Sequence, residues 1–256
     1  MKIWVLMENT ALEGFAAEHG LSLYIEAMGR RILFDMGQSG AFADNAEKLG
    51  VDLSLVDVAV LSHGHYDHGG GLRRFFQLNE QAEVYLSCHA FEPHFNGAGK
   101  DIGLDPALQG HPRLRFVEDR AELAPGLTVY CCKNETPLQP IEPFGLTCGG
   151  GEAEDFRHEI YLQILEPGRT VLISGCSHRG VVNIARRFRP DVLVGGFHFK
   201  SVDPEDPMLL EAARQLMALP TDYYTGHCTG PAQFEAMQTV MGRRLRAFHS
   251  GSTLEI

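Results

Sequence analysis

The segment Leu61-Ser62-His63-Gly64-His65-Tyr66-Asp67-His68-Gly69-Gly70-Gly71-Leu72 decides how this chain is read. It sets His63, His65, Asp67 and His68 within six positions, directly after the apolar run 56–61. His63, His65 and Asp67 fall at i, i+2 and i+4, so an extended backbone turns their side chains to one side. His68 follows directly and reaches a neighbouring point. Imidazole nitrogen and carboxylate oxygen suit zinc, iron or manganese, whereas closed structural zinc sites favour cysteine. A loop of solvated histidines does not account for four ligand-type residues in six, framed by an apolar run and a glycine run. The segment is expected to hold metal.

Working outward, apolar or alternating runs end repeatedly in glycine or polar turns. Runs 3–7, 21–28, 31–34, 56–61, 83–87, 114–117 and 127–131 read as strands, as do 159–165, 170–174, 191–194, 222–225 and 245–249. Stretches 41–49, 69–78, 180–188, 204–219 and 231–241 have helical period, and the last two carry proline at the start. No linker or low-complexity tract divides the chain. The order predicts an α/β fold: one four-layer αββα domain over residues 1–256, with two mixed sheets face to face and helices outside.

Composition narrows the function classes. Net charge is −11, from 22 Lys+Arg against 33 Asp+Glu. Such a surface repels a nucleic-acid backbone, so no DNA or RNA partner is expected. No apolar run approaches membrane-spanning length. The start, Met1-Lys-Ile-Trp-Val-Leu-Met-Glu8, lacks the features of a signal peptide, and the cytoplasm is the expected compartment. The six cysteines form no C-x-x-C pair and are expected to be reduced.

Later loops repeat the first pattern, an apolar run followed by a residue able to do chemistry. Asp35 ends the run 31–34, either as a turn aspartate or as a group orienting a metal-bound histidine. Gly175-Cys176-Ser177-His178, Gly195-Gly196-Phe197-His198 and Gly226-His227-Cys228 end three others. A dinuclear centre needs about six protein ligands, and His178 and His227 complete the first four most economically. His198 is kept for substrate or acid/base work, against a plain packing role. Cys176, Phe197 and Cys228 are placed beside the metals or the substrate. His89 and His158 are further candidates, while His19, His94, His111 and His249 stay unassigned. The amides of residues 69–71 are expected to be free for an anion.

His63-Gly-His65-Tyr-Asp67-His68, together with Asp35-Met-Gly37, resembles the signature of the metallo-β-lactamase-fold superfamily over nearly the whole chain. Glu18–Ser22, Gly175–His178, Gly195–His198 and His227–Gly230 look more narrowly like its dihydropterin-methyl-ribofuranosylaminobenzene-phosphate synthase-like branch. The resemblance implies metals at one edge of the two sheets. It implies that His63 and His65 bind one metal, and Asp67, His68 and His227 the second. Two positions depart from the pattern. The usual bridging aspartate stands here as Cys176, and the usual histidine before the preceding strand is matched only by His158. His178 is therefore expected to take over a ligand role, with Cys176 close by.

The expected function is a metal-dependent hydrolase with one or two divalent ions, most readily zinc. Its substrate would be a small anionic ester, phosphodiester or cyclic phosphate, attacked by metal-activated hydroxide held by Asp67. A pterin-type synthase reaction is the alternative within enzymes. A metal-binding sensor without turnover is the alternative outside them.

Overall fold

The computed structural model describes residues 1–256. Two seven-stranded sheets pack face to face. In the first, Thr253–Glu255, Lys2–Met7, Ser22–Ala27 and Arg30–Phe34 pair antiparallel in that spatial order. Val58–Val60, Glu83–Ser87 and Leu114–Val117 then continue it in parallel. The second repeats the plan: Leu245–Ala247, Asp222–Thr225, Val192–Val194 and Arg169–Ile173 run parallel. Ile160–Glu166, Leu127–Cys131 and Arg120–Ala124 complete it in antiparallel order.

Side-chain alternation explains the layering. Val5, Ile32, Phe34, Val171 and Ile173 point between the sheets into one apolar cluster. Their neighbours point away: Leu6 and Leu33 meet Phe42 and Phe75 under the helices Ala41–Lys48 and Leu72–Leu78. Leu172 and Leu193 meet Ile184, Leu209 and Met237 under Val181–Phe188, Pro207–Met217 and Pro231–Met241. Strands covered on both faces read as near-continuous apolar runs, which is why the sandwich is legible from the sequence. No helix is long and apolar enough to cross a membrane.

Several local expectations need correction. Residues 204–219 begin their helix only at Pro207, because Asp206 caps it by accepting from the Met208 amide. Arg120–Ala124 and Thr253–Glu255 are further strands on sheet edges. The metal-type segment is not a continuous extended run: its strand ends at Val60, the chain bends at His63 and Gly64, and His65 precedes a helical turn Tyr66–Gly69. The amides of Gly69, Gly70 and Gly71 are not free: they donate to His65, Tyr66 and Gly37 carbonyls. These glycines serve packing instead. A Cβ on Gly70 or Gly71 would lie 2.2 Å from the carbonyl oxygen of Gln38 or Met36.

Candidate metal centre

Parallel strands put their C-terminal ends on one edge, and the functional loops leave from there. Asp35 follows Arg30–Phe34, and Ser62 and His63 follow Val58–Val60. Cys176 and His178 follow Arg169–Ile173, His198 follows Val192–Val194, and His227 follows Asp222–Thr225. Asp35, Ser177, His198 and His227 hold φ of 58°, 57°, 56° and 51°. Positive φ is uncommon outside glycine, so backbone strain collects at this edge. Gly175 lets the loops of the two sheets meet, since a Cβ there would fall 2.2 Å from Ser62 Oγ.

Two of the close donor groups at this edge pair imidazoles around one thiol. His63, His178 and Cys176 form the first, and His68, His227 and Cys176 the second. His63 Nε2 and His178 Nε2 are 3.3 Å apart, and His68 Nε2 and His227 Nε2 are 3.1 Å apart. Cys176 Sγ lies 3.2 Å from His68 Nε2. Bonds of 2.0–2.1 Å to a tetrahedral ion place neighbouring nitrogens about 3.3 Å apart, so these spacings fit divalent metal. Asp67 Oδ2 lies 3.4 Å from His227 Nε2 and 3.6 Å from His68 Nε2. His65 is buried beside His63, with ring centroids 4.6 Å apart, but it joins neither of these two groups and falls instead with His94, Glu154 and His158.

Hydrogen bonds fix which nitrogens face the site. Asp35 Oδ2 takes His68 Nδ1 at 2.6 Å and the Ser62 hydroxyl at 2.7 Å, while its Oδ1 accepts from the Ser62 amide. Ser62 Oγ is then left to accept from His63 Nδ1 at 2.8 Å. Asp35 is thus both a backbone-binding aspartate and the group that orients histidines. Asn9 Oδ1 takes His227 Nδ1 at 2.8 Å. In each case Nε2 is released toward the centre. His178 is aligned instead by stacking on Phe156, with centroids 4.5 Å apart and planes 9° apart.

Burial and neighbouring imidazoles hold His63 and His178 well below their ordinary range, and burial takes His65 down to about 3. These rings are neutral at pH 7, as ligands must be. Burial would lower His68 too, but Asp35 and Asp67 outweigh it and push it up to about 9. Burial would raise the Asp67 carboxyl, but His68, His227 and His19 hold it well below the usual carboxylate range. Burial pushes the Cys176 thiol up.

The remaining candidates separate. His198 borders the cavity, its ring 4.1 Å from that of His178, and its Nδ1 is buried without a partner. Its amide donates to Cys228 Sγ, and Cys176, His198 and Cys228 form a further close group. Phe197 is buried, edge-on to Tyr223 in the outer apolar cluster. His89 is engaged by Glu92 and Lys133. His158 does not join either group; its Nδ1 accepts from the Gly64 amide. Three residues that sequence reasoning left out stand near the site. His19 lies 3.3 Å from Asp67, while His94 and Glu154 are buried next to His65. The cavity, about 380 Å³, is bordered by His19, Asp67, Phe144, His198 and Lys200.

The family model of the metallo-beta-lactamase superfamily matches residues 17–227, and the chain belongs to that superfamily. Within it, the chain is similar to 7,8-dihydropterin-6-methyl-4-(beta-D-ribofuranosyl)-aminobenzene-5'-phosphate synthase of Methanocaldococcus jannaschii. The two are 28% identical over 264 aligned residues, covering 90% of this chain and 88% of the relative. The uncharacterized protein MJ0448 of the same organism is 29% identical over 210 residues, covering 78% and 80%. Among solved structures, Tm1679, a metal-dependent hydrolase of the beta-lactamase superfamily, has a TM-score of 0.82 at 28% identity, covering 100% of this chain and 99% of its own. Zinc-bound PqqB of Methylobacterium extorquens shares the fold, with a TM-score of 0.61 at 15% identity and 100% coverage of both chains.

Proposed function

We propose that the protein is a metal-dependent hydrolase of a small anionic ester, phosphodiester or cyclic phosphate. The observation that carries this reading is the pair of imidazole groups joined by Cys176 at the floor of an open cavity that also bears Lys200. His63, His65, His178 and Cys176 would hold one ion, and Asp67, His68, His227 and Cys176 the other, with zinc favoured by the thiolate and imidazole donors. Bound there, divalent metal supplies a Lewis acid that polarises the scissile oxygen and acidifies water. The chain's own groups do the rest. Lys200 attracts the anionic end of the substrate. Asp67, ionised beside His19, orients the attacking water, and His198 delivers a proton to the leaving oxygen.

Similarity to the pterin synthase supports a second reading, in which the same cavity holds a phosphorylated pterin-type substrate. Zinc-loaded protein should be assayed against phosphodiester, cyclic phosphate and carboxylate ester panels, and against a dihydropterin carrying pyrophosphate on its 6-methyl group with a ribofuranosylaminobenzene 5'-phosphate acceptor, the new carbon–nitrogen bond displacing pyrophosphate. Metal-dependent hydrolysis in the first set supports the hydrolase. Product only in the second replaces it with the synthase, and metal uptake with neither overturns the enzyme reading in favour of a sensor.

A further inference from the structure

Next to His65 lie three buried polar residues, His94, Glu154 and His158, that the site above does not use and that do not line its cavity. His65, His94, Glu154 and His158 each place one donor atom within 4.8 Å of the others. His94 is 1% exposed, His158 0% and Glu154 5%. His65 Nε2, His94 Nε2 and His158 Nε2 are all buried without a hydrogen-bond partner. Three orphaned nitrogens buried together cost several kcal/mol unless they are matched to one another.

Tautomers decide how they are matched. His94 Nδ1 lies 2.8 Å from Glu154 Oε2 and donates to it, so a neutral His94 presents a lone pair at Nε2. His158 Nδ1 accepts from the Gly64 amide at 2.8 Å, so a neutral His158 carries its proton at Nε2. That proton makes His158 a donor and unsuits it as a metal ligand, which argues against a further ion here. Glu154 Oε1, 3.7 Å from His158 Nε2, is the acceptor it faces. His65 remains. Its Nε2 is the nitrogen left unpartnered on this side, so a metal held by His65 takes Nδ1, and the ring proton then sits on Nε2 and needs an acceptor. His94 Nε2 supplies one. Two donors then face two acceptors, each residue of the group placing a donor atom within 4.8 Å of the others.

We propose that Glu154 and His94 are positioning residues: the chain Glu154–His94–His65 accepts the Nε2 proton of His65 and so commits its Nδ1 to the metal. The proposal rests on His65 being a ligand. Its tautomer at His94 can nonetheless be read without metal.

Histidine nitrogens of ¹⁵N-labelled protein should be followed by long-range proton–nitrogen NMR during zinc titration. His94 is expected protonated on Nδ1 alone with and without metal, and in the loaded protein His65 and His158 should be protonated on Nε2. A His94 protonated on Nε2 overturns the proposal. So do metal-type shifts at the three Nε2 atoms together with ions beyond two per chain, which would make the group a metal cage. In chelator competition, His94→Phe and Glu154→Gln should weaken zinc binding about 10–100-fold. His94→Gln, whose amide oxygen can replace the acceptor, should recover most of it. Wild-type affinity in both damaging variants overturns the proposal. If the wild-type protein takes up no zinc, the metal reading fails, while the His94 tautomer still reports on the chain behind it.

Discussion

Asp35 is fully buried, yet two inward-turned histidines depend on it. It fixes His68 directly and His63 through the Ser62 hydroxyl. Asp35→Ala should therefore weaken zinc binding about 10–100-fold, read by chelator competition, with unchanged affinity counting against the assignment. His198 is the opposite case, a residue on the cavity wall whose loss should spare the metal. His198→Ala should keep its zinc content while catalysis of the hydrolysed substrate falls about 10²–10⁴-fold. A lost metal equivalent would make His198 a ligand, and full activity would reduce it to packing. Residues of this kind differ in how visible they are in sequence. The cluster from His63 to His68 is local, so its spacing announces it. His94 and Glu154 meet across 60 residues, and neither carries a glycine-framed signature, so nothing in the sequence joins them.

At the scale of elements, near-continuous apolar runs were enough to place the central strands, which are covered on both faces, and helical period placed the five helices outside them. Edge strands were harder. Arg120–Ala124 carries Arg120 and Glu122 on exposed positions, and polar edge residues mask the period. The helical turn Tyr66–Gly69 was missed for a different reason: Tyr66, Asp67, His68 and Gly69 have no hydrophobic period to read. Its consequence is a tight fit of the following glycines against the strand ends. Gly70 has φ −60° and ψ −30°, which any residue adopts, so its requirement is space alone. Gly70→Ala would drive a Cβ to 2.2 Å from Gln38 O. Overpacking of this kind costs about 1–3 kcal/mol, and a lower denaturation midpoint in chelated protein is the expected reading. An unchanged midpoint would show that the loop 36–39 yields freely.

For the whole molecule, charge and topology lead to separate expectations. With net charge −11, the protein should show no salt-sensitive binding to duplex DNA or RNA at physiological ionic strength. A retarded band abolished by salt would reopen a nuclease reading. Topology concerns the metal. His63, His65, Asp67 and His68 leave the first sheet, whereas Cys176, His178 and His227 leave the second. Bound ions would therefore join the two halves of the sandwich at the edge where their loops meet. They would also relieve the facing nitrogens 3.1 and 3.3 Å apart. A ligand that binds only the folded state stabilises it by about 2.7 kcal/mol at a hundredfold excess over its dissociation constant. For a chain of this size that corresponds to a rise in Tm of about 5–10 °C. Chelation should lower Tm by this amount and zinc should restore it. In His68→Ala, which removes a donor facing the second sheet, most of that zinc-dependent shift should disappear. A Tm that ignores both chelator and zinc would mean that the two sheets are not joined through metal.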